Sequence, residues 1–510
     1  MTQKGYINDF YKQFEELNIK LDKANETISN LLLNNSILST EIKDLNIKLD
    51  EANKKNQELL LEIERLKNNN NKDSSNSSKP SSTNGFKKVI TNNRNKSTKK
   101  QGGQPNHKGK TLTNEKIEEM IENNEIDEII TIEENKTEEN KNLTPIIKYE
   151  YDIKIKRIVT KHIIYPDVKK NITKYPVTYG NNIKILNCIL GQKYMSLDGV
   201  QNFIYDTTNN NLLTSKGSLY AWNKEIYNLL LDTEYKHIQN ELMNALVLHV
   251  DESPIKINSE QYYLHNISDG KHTLQYVTKH RSQDDIDEFG FLKEYKGIIV
   301  HDHYKMYYNY GADNAECNVH VLRYLNAVSE FTNHTWSKEL HDLLLDMKKK
   351  KEEYIKEGKE NLEDEEYESF KSKYLEILSK AKEERKKDLS TNAYKKEEIN
   401  LINRLVKYCR NHLLFLKKFF VPFSNNRAES DLRGIKIKQK TGKFRSIEGA
   451  NIYAVIKSCI STYKKNGINL YLALDSIFTD NPILVQKIKD FNFDLFSIQL
   501  KRTFLIKKNR

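Results

Sequence analysis

ALVLHVDESPIKINSEQYYLHNISDGKHTLQYVTKHRSQDDIDEFGFLKEYKGIIVHDHY, residues 245–304, decides the fold. ALVLHV is a short apolar run that ends in Asp251-Glu252, and QYYLHNI and HTLQYVT are two further strand-like runs. A helical pattern, DDIDEFGFLKEY, follows, and a fourth strand, GIIVHDHY, ends in Asp302. Three neighbouring strands, a helix and a parallel strand is the order of a ribonuclease-H-like α/β core. That order sets Asp251 and Asp302 at adjacent strand ends. Each acid also has a plainer reading: Asp251 as the start of the turn DESP, Asp302 as a solvated strand-end acid.

A third acid lies further along, in SNNRAESDLRGIKIKQKTGKFRSIEGA, Ser424 to Ala450. An Asn pair precedes a short helical run with Glu429 on its first turn, and then come Arg433, Lys436, Lys438, Lys440, Lys443 and Arg445. Asn426 followed three residues later by Glu429 is also a helix start of the capping-box type. Taken with the two strand-end aspartates, Glu429 completes a set of carboxylates beside a row of cations. Such carboxylates repel one another and raise their pKa values unless cations sit between them. Hard oxygen donors of this kind select Mg²⁺ or Mn²⁺. The cations suit a phosphodiester backbone held against that metal.

Outward from the core, the chain divides by pattern. Residues 14–67 keep a heptad repeat, with Phe14, Leu21, Ile28, Asn35, Ile42, Leu49, Asn56 and Ile63 in one seam position. Leu17, Ala24, Leu31, Leu38, Leu45, Ala52, Leu59 and Leu66 hold the other. This predicts a parallel two-stranded coiled coil, hence a homodimer, on a rod roughly 80 Å long. Residues 68–112 have no acid between Asp73 and Glu115 and read as a flexible basic linker, either tracking phosphates or merely solvated. Residues 113–181 begin acidic and continue into IIKYEYDIKIKRIVTKHIIYP, whose alternation predicts a small two- or three-stranded β module. Residues 182–235 are helical and end in an amphipathic helix with Trp222, either a helix-turn-helix facing DNA or a plain packing unit. The catalytic core spans 240–475, with long charged helices over about 336–411, and 476–510 form a C-terminal tail. The fold class is therefore multidomain α/β.

The bulk numbers agree with that plan. The 510 residues carry a net charge of +11 and a sequence pI near 9.0, which favours a polyanionic partner. Neither an N-terminal apolar segment nor an apolar run near the ~20 residues of a membrane span occurs, so a cytoplasmic protein without membrane contact is expected. Cys188, Cys317, Cys409 and Cys459 lie far apart, which supports neither a disulfide framework nor a zinc knuckle.

Read together, the blocks resemble transposases of the insertion-sequence 66 family, a branch of the DDE transposases. The matching stretches are NSSKPSS (Asn76 to Ser82), GGQPNHKGKTL (Gly102 to Leu112), HVDESP (His249 to Pro254) and the run of Cys317, His320 and Arg323. NNRAESDLR (Asn425 to Arg433), Gly449-Ala450 and SCISTYKKNG (Ser458 to Gly467) follow in family order. The resemblance implies that Asp251, Asp302 and Glu429 are the catalytic, metal-binding triad for two Mg²⁺ or Mn²⁺ ions. It implies DNA, both element ends and target, as substrate, and the charged helices as an insertion between the second Asp and the Glu. Arg433, Lys436, Lys438, Lys443 and Arg445 would hold DNA phosphates, with Asn426, Arg323 and His320 in support. Small accessory proteins encoded nearby, and a nucleoid-associated location, are further expectations of the resemblance. Two departures stand out. The family's cysteine-based zinc site after the GGQP block has no cysteine here, so no zinc is expected. The second Asp, usually flanked by small residues, sits in His301-Asp302-His303, where His303 is either an extra ligand or a bulky neighbour. The expected function is metal-dependent cleavage and 3′-OH strand transfer. The alternatives are a DNA-binding coiled-coil regulator derived from a transposase, and a nuclease without strand transfer.

Overall fold

The N-terminal apolar repeat produces one uninterrupted helix, α1 (Gln3–Asn71). It contains no Pro, and Gly only at position 5, so nothing interrupts its hydrogen-bond ladder. Its seam faces water, with Leu21, Leu31 and Leu45 each more than half exposed. The computed structural model describes residues 3–71, 112–134, 137, 139, 142, 144, 146–163, 165, 177–388, 394–479 and 482–484. Nearly all of the expected basic linker, the blocks at Asn76–Ser82 and Gly102–Leu112, and most of the C-terminal tail lie outside those residues.

A short helix, α2 (Asn114–Glu122), is capped by the Thr113 hydroxyl, which accepts the Lys116 amide. The β module expected next does not form among the described residues: 146–163 hold no strand, and Ile146, Ile153 and Val159 are largely exposed. Alternation makes a strand only where a neighbouring edge takes its N–H and C=O groups and one face is covered. Neither condition is met among the described residues.

Four helices then lead to the sheet: α3 (Asn181–Gln192), α4 (Leu197–Thr207), α5 (Lys216–Leu230) and, after one π-helical turn, α6 (Lys236–Met243). Ser196 and Ser215 cap α4 and α5. The face of α5 that carries Leu219, Trp222, Ile226 and Leu230 is buried, with Trp222 edge-on to Tyr179 at 4.9 Å. Its cations are matched by acids, Lys216 by Asp198 and Lys224 by Glu448. Of the two sequence readings for this segment, the contacts favour the packing unit.

The sheet has five strands: β1 (Val247–Ile257), β2 (Glu260–Ser268), β3 (Thr273–Thr278), β4 (Ile298–His301) and β5 (Asp313–Glu316). Their spatial order is β3-β2-β1-β4-β5. β1, β2 and β3 are antiparallel; β4 runs parallel to β1, and β5 parallel to β4. Asn258 and Ser259, with φ of 47° and 72°, close the β1–β2 hairpin in the doubly left-handed form that suits strand twist. The crossover to β4 runs through α7 (Gln283–Phe289) and α8 (Phe291–Glu294). Gly290 joins them at φ 81°, a left-handed helix end that glycine adopts at least cost.

On the β4–β5 side, α9 (Asn318–Phe331), α10 (Trp336–Lys356), α11 (Asp364–Lys387), α12 (Lys395–Lys407) and α13 (Cys409–Lys417) share one core with the sheet. Val300, Ala315, Val321, Trp336 and Leu340 meet there. Three helices follow: α14 (Asn426–Thr441), α15 (Ile447–Lys465) and α16 (Leu470–Ser476). Gly434 lets α14 close on the loop after α3, since a Cβ there would lie 2.5 Å from the Tyr194 hydroxyl. α15 lies along β3, where Ser458 Oγ accepts the Gln275 amide at 2.8 Å and Thr462 Oγ1 accepts the Thr273 amide at 3.0 Å. The whole is a mixed α/β fold, mostly helical, with one sheet. No helix among the described residues is long and apolar enough to cross a membrane.

Candidate active site

Parallel pairing of β1 with β4 aligns Leu248 with Ile299 and His249 with Val300. Continued by two residues, that register sets Asp251 beside Asp302: Asp302 directly follows the carboxyl end of β4, whereas Asp251 lies within β1, fifth of its eleven residues and paired with β2, so the expectations of a strand-end acid and of a turn at DESP are both corrected. Burial pushes the Asp251 carboxyl well above the usual carboxylate range, and the charges of Asp302, Glu252 and Glu429 push the same way. Only the Glu252 amide, donating to Asp251 Oδ1 at 2.9 Å, opposes them.

Glu429 arrives on the first turn of α14. Its Oε1 and the Oδ1 of Asp302 are both buried without a hydrogen-bond partner among the described residues. Carboxylate oxygens left bare in a protein interior carry a heavy desolvation cost unless a cation is supplied. The donor set Asp251, Asp302 and Glu429 is all hard oxygen, which fits Mg²⁺ or Mn²⁺.

A fourth acid, Glu252, directly follows Asp251 and has no role among the expected site residues. Its side chain is 7% exposed; Tyr307 donates to Oε2 at 2.7 Å and Arg281 to Oε1 at 3.1 Å. Burial first, and then Asp302, raise its pKa against those two donors. With both oxygens engaged, Glu252 braces the site rather than offering a free ligand.

The helix start at Glu429 is not the capping box that Asn426 suggested. Asn425 is the N-cap residue and makes no side-chain cap bond, while Asn426 is exposed at the first helical position. The Asn425 amide group is engaged elsewhere. Its Oδ1 meets His249 Nδ1 at 3.0 Å, its Nδ2 donates to the Val250 carbonyl at 2.8 Å, and its main-chain N–H donates to Cys317 Sγ at 3.1 Å. One fully buried residue thus ties α14 to the strand that bears Asp251 and to the start of α9. Burial lowers the His249 pKa to about 4, so its ring stays neutral in this clamp.

His303 also resolves. It sits at φ 79°, a left-handed conformation unusual for a non-glycine residue, and its amide donates to His301 Nδ1 at 3.2 Å. Its own Nδ1 faces the Tyr308 hydroxyl at 2.9 Å and Glu316 Oε1 at 3.0 Å. Of the two readings, bulky neighbour is the one the contacts support. Glu316 is fully buried and is also held by Arg404 Nε at 3.0 Å, with His412 Nε2 3.6 Å away. Burial would raise the Glu316 pKa, yet His412, His303 and Arg404 together hold it well below the usual range.

His320 is buried, with Nε2 3.9 Å from Glu429 Oε1, and Arg323 is half-buried with its charge near His320. At roughly 100° per residue, Arg433, Lys436 and Lys440 fall within about 40° of Glu429 on α14. All three are exposed. Lys438 falls on the opposite face, and its Nζ lies 3.4 Å from the Met195 carbonyl, with burial lowering its pKa. The expectation that Lys438 holds DNA is therefore corrected: its ammonium is turned to the Met195 carbonyl, away from the exposed face that Glu429 shares with Lys440. Lys443 and Arg445, beyond the helix end, are exposed.

A model of the IS66 family of transposases matches residues 183–452, more than half of the chain. The chain belongs to the IS66 transposase family. The match covers all three acids and the cation row; the blocks at Asn76–Ser82, Gly102–Leu112 and Ser458–Gly467 lie outside it. No curated protein matches the chain. Membership of the IS66 family implies DNA as the partner and a divalent metal ion in the chemistry.

Proposed function

We propose that this IS66-family chain is a metal-dependent DNA transposase whose site is Asp251, Asp302 and Glu429, set in a ribonuclease-H-like core. The strand order β3-β2-β1-β4-β5, with three antiparallel strands and two parallel ones, supports that core. The observation that carries the reading is the pair of bare, buried oxygens on Asp302 and Glu429 beside Asp251. Two Mg²⁺ or Mn²⁺ ions held by these acids would activate a water or a 3′-OH and neutralise charge on the leaving oxygen. The three carboxylates orient those ions. Arg433, Lys436 and Lys440, with Lys443 and Arg445, hold backbone phosphates beside them, which positions DNA without reading its sequence. Asn425 keeps Glu429 in register with Asp251, and Glu316 keeps the turn after Asp302 in place. No side chain of the chain is needed as nucleophile.

The deciding test supplies purified chain with element-end DNA and a target plasmid in Mg²⁺. Nicking of the end, followed by joining to target from a 3′-OH and not from a 3′-dideoxy end, is the expected outcome. Nicking without joining would reduce the function to a nuclease, and binding without either would reduce it to a regulator.

The phosphate contacts predict a graded response to salt. Lys436→Met should lower the slope of log affinity against log salt by about one, the share of one phosphate contact. Lys438→Met should leave that slope unchanged. Equal slopes for the two variants in filter binding would remove the α14 face from the DNA path.

The exposed seam of α1 supports pairing of two chains through a parallel coiled coil, which would bring two element ends together. Sedimentation of the chain with and without residues 3–71 tests this: a dimer that persists without them sinks it.

A further inference from the structure

A group of side chains beside the catalytic acids has a different chemistry from theirs. Cys317, His320 and Glu429 each offer one donor atom, and the three atoms lie within 4.8 Å of one another. We propose that these residues form a divalent-metal position of mixed sulfur, nitrogen and oxygen donors, which takes Zn²⁺ in preference to Mg²⁺ and closes the catalytic centre when filled.

The placement follows from local structure. Cys317 is the N-cap of α9 and His320 lies on its first turn, so the Cys-x-x-His spacing turns both side chains to one side of the helix start. Glu429 approaches from the first turn of α14, and Asn425 fixes the two helix starts together through its 3.1 Å bond to Cys317 Sγ. Cys317 is fully buried and His320 is 6% exposed. His320 Nδ1 and Glu429 Oε1 lack hydrogen-bond partners among the described residues. An unpartnered carboxylate oxygen beside a buried sulfur, with a buried imidazole whose Nε2 is 3.9 Å from that oxygen, makes a compact set of three different donors.

The donor types set the selectivity. Thiolate and imidazole favour Zn²⁺ and Co²⁺, whereas Mg²⁺ prefers oxygen and is reluctant to shed water. With Zn–S and Zn–N lengths of about 2.3 and 2.0 Å, donors that already lie within 4.8 Å of one another need at most a small inward movement. Rotation of Glu429, the half-buried member, can supply that movement. As the sulfur–metal bond forms, the Cys317 S–H bond breaks and its proton goes to solvent. Asp302 Oδ1, also bare, is available for a fourth position. The cysteine-free stretch after the GGQP block excluded a zinc site there, and this group is elsewhere. Binding depends only on Cys317, His320 and Glu429. Closure of the centre rests in addition on Glu429 being one of the catalytic acids, because an ion held by sulfur and imidazole would withdraw that carboxylate from Mg²⁺.

The test is a titration of the metal-stripped full-length chain with Co²⁺ as a spectroscopic stand-in for Zn²⁺. One equivalent should produce a thiolate-to-cobalt charge-transfer band, displaced by Zn²⁺ and not by millimolar Mg²⁺. Cys317→Ser, a one-atom change, should lose that band. His320→Gln, a second variant that keeps the sulfur, should retain a band but bind Co²⁺ at least tenfold more weakly. No band in the parent chain, a band that survives Cys317→Ser through another thiol, or an unchanged affinity in His320→Gln overturns the site. Zn²⁺ at one equivalent should then suppress Mg²⁺-supported cleavage at least tenfold. Full cleavage by the zinc-loaded chain would overturn the closure while leaving the binding intact. The cobalt band needs no DNA cleavage, so failure of the transposase reading and failure of the metal site give separate results.

Discussion

Asp251→Asn should reduce Mg²⁺-supported cleavage about a thousandfold or more, and at the same time make the metal-free chain more stable. A thousandfold corresponds to ~4 kcal/mol of transition-state stabilisation, the scale of losing one ligand to a catalytic metal. The stability effect has the opposite sign for an electrostatic reason. Burial, Asp302 and Glu252 raise the Asp251 pKa in the folded chain, so the folded state binds that proton more tightly than the unfolded state does. Stability from such a group is full below the unfolded value and is lost as pH rises through the folded value. At neutral pH without metal the ionised cluster therefore opposes folding, and a neutral amide relieves it. Calorimetry should show the wild-type melting temperature falling from pH 4 towards 7 relative to the variant. Added Mg²⁺ should raise the wild-type value and leave the variant's unmoved. A variant that melts lower than wild type at pH 7 without metal would mean that Asp251 serves structure instead.

Arg404→Met is the second large effect. Glu316 is fully buried and Arg404 nearly so, and breaking a buried pair by removing one partner costs ~3–5 kcal/mol. Urea unfolding should register that loss, and cleavage should fall with it, because Glu316 also fixes His303 next to Asp302. The pH dependence is again signed. The Glu316 pKa is depressed in the folded chain, so its contribution is present above the unfolded carboxylate value and disappears as pH falls through the folded one. In Arg404→Met the folded value rises, and acid unfolding should begin at higher pH. Adding Glu316→Gln to Arg404→Met should recover part of the loss, since no charge is then left buried alone. A double variant no better than the single would show that Arg404 acts by packing and not by pairing.

What could be read from the sequence was local and periodic. Strand-like runs of Val, Ile and Tyr located β1 to β4, and strand order alone placed Asp251 next to Asp302. The 3.6-residue period of α14 sets Lys438 opposite Glu429 and Lys440 on the same face as Glu429. The described part of the expected β module, 146–163, holds no strand because alternation does not specify a partner strand. Asn425 and Asn426 were indistinguishable in sequence; only the position of His249, 176 residues away, decides which one is buried. Glu316, Arg404 and His412 could not have been found, because Arg404 and His412 lie 88 and 96 residues beyond Glu316 and only the fold brings them together.

The two hydroxyls that α15 lays along β3 have a bearing on how this molecule behaves at high concentration. An outer strand normally shows a ladder of free amides on which another chain can add a strand of its own. Here Ser458 and Thr462 meet the amides of Gln275 and Thr273, so that rim is shut to strand addition. At the β3 edge, then, addition of a strand from another copy is blocked by two small side chains.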